Sequence, residues 1–171
     1  MKTLVIVLFL LFGTAFVHGQ KYAYIDSDYI LENVPEYKEA KDKLDKLAER
    51  WTKEIEEGYA VLKTKKDNFA REEVLLPAEE KEKRKEEIAK MESEAMEMQQ
   101  MRFGVKGDYF QKRQELVKPI QDKVFDAMQE VASKKAYTFV FDKANQSNLI
   151  YADPKMDISD AVLKEMGIIV K

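Results

Sequence analysis

The sequence contains no cysteine, and its single histidine is His18. Without cysteine the chain has no disulfide framework and no lipid-modified N-terminal cysteine. Histidine and cysteine supply most nucleophile–base pairs and most transition-metal ligands near neutral pH, so their scarcity argues against Ser-His-Asp, Cys-His and zinc chemistry. The sequence also lacks a Gly-rich phosphate loop. We therefore predict a protein that is not an enzyme and that holds no cofactor or metal.

The first residues have the layout of a secretory signal peptide. Lys2 is followed by an apolar run over 4–12, and the small residue Gly19 suits a cleavage site. The run falls short of the roughly 20 apolar residues that span a bilayer. We predict that residues 1–19, which include His18, are a cleaved signal peptide and that the mature chain is exported and soluble. The alternative is an uncleaved membrane anchor.

The charges are nearly balanced. The chain has 29 Lys and Arg against 32 Asp and Glu, a formal net charge of −3 that becomes one unit more negative when Lys2 is removed. The acidic residues alternate with basic ones, which is typical of solvated helical faces rather than of a carboxylate site. A mildly acidic chain without a basic patch also predicts no nucleic-acid partner.

Short segments near both ends have strand patterns. Residues 21–26 alternate two tyrosines with Ala and Ile, and 137–141 and 149–151 lie on either side of the polar turn KANQSN. So small a sheet is marginal alone and has unpaired edges, so we expect strands of several subunits to close it. The residues predicted on these oligomerisation strands are Tyr22, Tyr24, Ile25, Phe139, Phe141, Leu149 and Tyr151.

Short helices are expected beside these strands. Ser27 or Asp28 can cap a helix that stops before Pro35, and Asp157 can cap a final helix that ends before Gly167.

A helical period begins at Pro35. Apolar residues then follow at spacings of three and four, as in a coiled-coil seam, and a second seam runs over about 88–131. Pro77 favours the start of a new helix, so we predict two long antiparallel helices with a tip near 71–80. Pro119 should kink the returning helix. In this arrangement Met91 and Met98 occupy the seam of the returning helix, between the two arms.

The antiparallel register predicts that Trp51 lies opposite Phe103 and Gly104. Gly104 and Gly107 fall within the returning helix, where each costs about 1 kcal/mol relative to Ala. Two interpretations are open: the glycines form a flexible joint, or they make room for Trp51.

A second apolar stripe runs beside the returning seam. Heptad steps from Met96 reach Phe103, Phe110 and Val117, and Met101 adds apolar area on the other flank. Methionine is flexible and suits promiscuous binding, so the stripe is a candidate surface for non-native chains. The alternative is that it packs against neighbouring subunits. Three further apolar residues at the tip either cap the hairpin internally or contact clients: Val74, Leu75 and Leu76.

Three parts of the sequence resemble the Skp or OmpH-like family of periplasmic chaperones. These are KYAYIDSDYILENVPEYKEA, the long charged hairpin and YTFVFDKANQSNLIYADPKMDISDAVLKEM, which together cover nearly the whole mature chain. The segment FGVKGDYFQKRQELVKPIQDKV resembles the Bacteroidetes-type form of this region.

The resemblance implies an α+β, mostly α fold: a homotrimer with a small β-barrel body, formed by residues 20–34 and 120–171, and a projecting helical hairpin over 35–119. It implies a periplasmic, ATP-independent holdase that binds unfolded outer-membrane proteins between the arms and acts upstream of the outer-membrane assembly machinery. Well-known members are strongly basic, whereas this chain is mildly acidic, which argues against a lipopolysaccharide site. The competing function is a structural coiled-coil scaffold, membrane-tethered if the N-terminal segment stays uncleaved.

Overall fold

The computed structural model of the protein describes residues 20–144 and 149–170. The predicted signal peptide and residues 145–148 of the KANQSN turn lie outside the described residues. No helix in the described ranges is long and apolar enough to cross a membrane. In chain order the elements are β1 (Tyr22–Ile25), α1 (Ser27–Asn33), α2 (Pro35–Glu72), α3 (Ala78–Phe103), α4 (Asp108–Lys134), β2 (Phe139–Asp142), a 3-10 turn (Pro154–Met156) and α5 (Ser159–Glu165).

The chain divides into two compact units. One, the helical unit, is Val34–Lys123, and the other, the terminal unit, contains the described residues up to Asn33 and from Val124 onward. The mostly helical character predicted from the sequence is confirmed, with two short strands and three long helices in the described part of the chain.

Helix α2 is the longest element of the helical unit. It begins with Pro35, whose fixed φ suits a first helical turn and whose missing N–H is not needed there. Its buried residues recur at the seam spacing read from the sequence: Ala40, Leu44, Trp51 and Leu62.

Polar contacts connect α2 with the helices that follow it. Residues earlier in α2 pair with residues later in α3 and α4. The pairs, with their closest charged atoms, are Glu72–Arg84 (3.4 Å), Lys66–Glu92 (2.8 Å), Glu54–Arg102 (3.6 Å) and Glu36–Lys123 (3.7 Å).

The returning segment is two helices rather than the single one predicted. Helix α3 ends at Phe103 and α4 begins at Asp108. A Cβ on Gly104 would lie 2.3 Å from the Gln100 carbonyl oxygen, and one on Gly107 would lie 2.7 Å from that of Met101. Close backbone contacts are therefore enough to require glycine at both positions.

The terminal unit is organised around a parallel pair of strands. Tyr22 lies beside Phe139 and Tyr24 beside Phe141. On β1 the Tyr24 carbonyl also accepts a 2.9 Å hydrogen bond from the Ile158 N–H, next to an isolated bridge between Tyr24 and Asp157.

The strand predicted over 149–151, with Leu149 and Tyr151, is wrong for this chain. Those residues are irregular, and Tyr151 is exposed. Among the described residues β2, the strand before the turn, pairs only with β1, and residues 157 and 158 make the other bridge to β1.

The short helices contribute further buried apolar residues to the terminal unit. Helix α1 buries Ile30 and Leu31, and α5 buries Val162 and Leu163. The cap of α1 differs from the prediction, because the Asp26 carboxylate accepts the Tyr29 N–H (3.1 Å).

At the start of α5 the N-cap residue is Ile158 and not the predicted Asp157, although the Asp157 carboxylate accepts the Ser159 N–H (2.8 Å). Ser27, one of the two residues predicted to cap α1, instead donates its hydroxyl and its backbone N–H to the Asp142 carboxylate.

Candidate functional site

Large apolar side chains are exposed on α3 and α4 of the helical unit. The exposed fractions are 60% for Met96, 54% for Met101, 41% for Phe103 and 44% for Phe110. Full burial of such a side chain is worth about 1.5–3 kcal/mol, so each is an unsatisfied apolar surface in the isolated chain. These four residues, all singled out from the sequence, are called the exposed stripe below.

The stripe is exposed because α2 does not cover α3 closely. Helix α3 has no buried residue in the described structure, whereas α2 has four. Met91 is partly buried, as its seam position predicts, but Met98 is exposed and is not the core residue expected from the heptad pattern.

The stripe also ends earlier than predicted. Val117 was expected to continue it, but the Val117 side chain is buried. Four non-helical residues, 104–107, lie between α3 and α4. They reset the helical phase, so a heptad counted from Met96 no longer identifies the face of α4 on which a residue lies.

In the helical unit, sequence reasoning also missed the exposure of Val61 and Val105. Val105 falls within the range of the predicted second seam, 88–131, yet it is almost fully exposed because it lies in the break between α3 and α4. Val61, on α2, is half exposed and falls one residue before the buried Leu62. The glycines on either side of Val105 were the signal that could have revealed its exposure.

The tip presents a second apolar surface. Val74 and Leu75 are almost fully exposed in the turn between α2 and α3, and Leu76 is partly buried. The Leu75 N–H bonds the Glu72 carbonyl (2.8 Å), which fixes the turn through its backbone. The interpretation that these residues cap the hairpin internally is therefore wrong for Val74 and Leu75.

An aromatic and ionic cluster lies where α3 ends. The Trp51 and Phe103 rings pack edge to face with centroids 6.2 Å apart, as the predicted register requires, and Tyr109 lies 6.0 Å from Phe103. The Arg102 guanidinium lies 5.0 Å from the centroid of the Trp51 ring and pairs with Asp108 at 2.6 Å. Phe103 is thus both part of the exposed stripe and part of this cluster.

The terminal unit carries its own exposed aromatic face. The Tyr22 ring stacks on Phe139 (5.7 Å between centroids) and on Phe141 (6.4 Å), and all three are about half exposed. Tyr24 and Ile25 are buried. Burial and the nearby Asp157 carboxylate raise the pKa of the Tyr24 hydroxyl above its ordinary value.

In the helical unit, charged side chains of opposite sign pair with close neighbours. Its ion pairs join Lys or Arg to Asp or Glu, several of them one helical turn apart and largely solvent-exposed, such as Lys46–Asp42 and Lys63–Asp67. Exposed pairs of this kind contribute at most about 1 kcal/mol. Within the described residues no group of three or more His, Cys, Asp or Glu side chains could hold a metal ion.

Comparisons with known proteins bear on this architecture. A solved structure from Caulobacter crescentus CB15, provisionally described as an outer membrane chaperone (OmpH-like), superimposes with a TM-score of 0.63 at 14% sequence identity, covering 88% of this chain and 86% of that one. No curated protein matches the sequence. The family model for outer membrane protein (OmpH-like) matches residues 21–166, nearly the whole described chain. The chain therefore belongs to the OmpH-like family.

Proposed function

We propose that the protein is a periplasmic, ATP-independent holdase chaperone that binds unfolded outer-membrane proteins and prevents their aggregation. Membership of the OmpH-like family supports a chaperone role. The observation that carries the proposal is the exposed stripe: four large apolar side chains left exposed on α3, which has no buried residue, and on the first turn of α4.

The proposal includes a homotrimer in which antiparallel coiled-coil arms surround a cavity. The reversed order of partners along α2, α3 and α4 supports an antiparallel arm. The aromatic face of Tyr22, Phe139 and Phe141 supports assembly through the strands, since apolar surface of this kind is typical of subunit interfaces.

Weak individual contacts suit such a holdase. Without an energy source, release of a client depends on the dissociation rate, and many weak contacts from several arms hold a mobile chain while each one breaks readily. Methionine in the stripe adapts to varied side chains. Because the arm surface carries both charge signs, we expect client affinity to depend only weakly on salt, and we propose no lipopolysaccharide site.

The test replaces three stripe residues and leaves Phe103, whose ring packs against Trp51, in place. Met96→Ser, Met101→Ser and Phe110→Ser combined should weaken suppression of aggregation of a urea-diluted β-barrel protein. If each residue contributes about 1 kcal/mol through partial burial in the client complex, the loss is on the order of 100-fold in affinity. The readout is light scattering of the client against chaperone concentration.

The matched control replaces three exposed polar residues of α3 and α4: Glu86→Ser, Lys90→Ser and Gln114→Ser. It should retain wild-type suppression. The mass of both variants is measured by light scattering. A stripe variant that suppresses aggregation normally would overturn the client-binding role of the stripe, and one that changes mass would identify the stripe as a subunit interface.

A further inference from the structure

The interruption between α3 and α4 is encoded in the sequence. Gly104 ends α3 with its N–H on the Gln100 carbonyl (2.8 Å), and neither Gly104 nor Gly107 has room for a Cβ. Between them Lys106 has φ of 63°, a left-handed conformation that costs a non-glycine residue about 1–2 kcal/mol. A sequence that maintains this conformation at such a cost specifies an interruption in the arm.

Arg102 connects the three segments that meet at this break. Its guanidinium lies 2.6 Å from the Asp108 carboxylate at the start of α4, 3.6 Å from Glu54 on α2, and 5.0 Å from the centroid of the Trp51 ring. The Arg102 side chain is about three-quarters buried. A single cation thus holds α2, α3 and α4 together and covers one side of a buried tryptophan.

The observed arrangement of Arg102 also has an energetic cost. The Arg102 Nε atom is buried and has no hydrogen-bond partner among the described residues. A buried unsatisfied donor costs about 1–3 kcal/mol, which is comparable with the gain from a cation–π contact and a partly exposed ion pair. These opposing contributions nearly offset each other at Arg102, so its contacts across the break add little net stability.

We propose that residues 104–107 are a joint in the arm and that Arg102 is its latch. In the closed form Arg102 and Phe103 pack against Trp51, and Tyr109 packs against Phe103. When α4 moves away from α3, Arg102 loses Asp108 and Phe103 loses Tyr109. The Trp51 and Phe103 rings then join Met101 in a larger apolar surface that an unfolded chain binds.

The proposal deepens the proposed function and rests on it only for the identity of the ligand. A client that binds Trp51 and Phe103 binds only the open form, so it shifts the joint toward opening by its differential affinity. The movement itself is a property of the free protein and is measurable without any client.

Trp51 is the only tryptophan of the chain, so its fluorescence reports on this cluster alone. The latch variant is Arg102→Met, which keeps a long apolar side chain and removes the charge. We expect it to raise acrylamide quenching of Trp51 at least about threefold in the assembled protein. The control Lys90→Met removes an exposed charge on α3, whose ion pair with Glu94 spans 3.9 Å, and should leave quenching unchanged.

The absence of cysteine permits a second readout with spin labels. Labels at Lys90→Cys and Gln114→Cys lie on α3 and α4, on opposite sides of the joint, and a control pair at Lys63→Cys and Lys90→Cys lies on one side. Arg102→Met should broaden the distance distribution of the first pair and not of the second. Circular dichroism and mass confirm that each variant folds and assembles.

The results of these experiments distinguish the proposed joint from the proposed chaperone function. Unchanged Trp51 quenching and unchanged distances in the folded Arg102→Met variant overturn the proposal, because the break is then a rigid bend. Adding an unfolded β-barrel client should shift the distances between the labels in the wild-type background toward those of the Arg102→Met variant. If the protein is folded and binds the client but the distances do not shift, the proposed coupling between client binding and opening of the joint is overturned. If no client is bound at all, the proposed function fails while the quenching result still decides the joint.

Discussion

Ser159 connects β1 to α5 through a buried hydroxyl group. The Asp26 N–H donates to the Ser159 Oγ (2.8 Å), and that hydroxyl donates to the Asp157 carboxylate (2.6 Å). Ser159 is only 2% exposed and is the one buried polar residue in the described part of the chain. A short hydroxyl thus provides a hydrogen-bond acceptor for the backbone where the first strand ends.

Replacing Ser159 with alanine should destabilise the terminal unit by about 1–3 kcal/mol, because the partly buried Asp26 N–H loses its acceptor. Urea unfolding at fixed protein concentration measures the loss. Ser93→Ala is the matched control: its hydroxyl bonds the Glu97 carboxylate on an exposed helix face, so its effect should stay within about 0.5 kcal/mol. Equal effects of the two substitutions would contradict this role of Ser159.

Among the elements, α4 is followed, two residues after Lys134, by a residue that fits its backbone conformation poorly. Ala136 has φ of 55°, donates its N–H to the Ser133 carbonyl (3.1 Å), and is followed by a Tyr137 N–H on the Ala132 carbonyl (2.9 Å). Glycine usually occupies this left-handed position after a helix, because a Cβ there is strained.

Ala136→Gly should therefore raise the free energy of unfolding by about 0.5–1 kcal/mol, since relief of the left-handed strain exceeds the extra entropy of the unfolded glycine. Ala132→Gly, within the last turns of the same helix, should lower it by about 0.5–1 kcal/mol. Thermal unfolding of both variants at one protein concentration tests whether the two substitutions change the free energy of unfolding in opposite directions. A lower melting temperature for Ala136→Gly would show that the helix end is not strained.

For the whole molecule, the aromatic face of the terminal unit bears on the proposed assembly. Phe139→Ser with Phe141→Ser should raise the concentration at which the oligomer forms by about 100-fold or more, because two largely apolar rings per subunit lose their burial in the interface. Light scattering over a dilution series measures it. The control Phe139→Tyr with Phe141→Tyr keeps both rings and should assemble normally. Unchanged assembly of the serine variant would exclude these rings from the interface.

Much of the arm was predictable from local spacing. The seam residues Ala40, Leu44 and Trp51 are buried as the heptad pattern indicates, and Trp51 meets Phe103 as the register predicts. The exposure of Met96 and Phe110 was predictable in the same way, from their spacing along the helices. These features depend on residues a few positions apart on one helix, so the helical period alone specifies them.

The sequence by itself therefore determined the long helices, their seams and the residues of the exposed stripe. Only the tertiary structure decided that the chain breaks at 104–107, that Val117 is buried and Met98 exposed, that 149–151 form no strand, and that residues 157 and 158 lie beside β1. The physical reason is separation along the chain. A helix forms its hydrogen bonds within itself, whereas a strand partner, a latch such as Arg102 and the burial of a helix face depend on residues that only folding brings together.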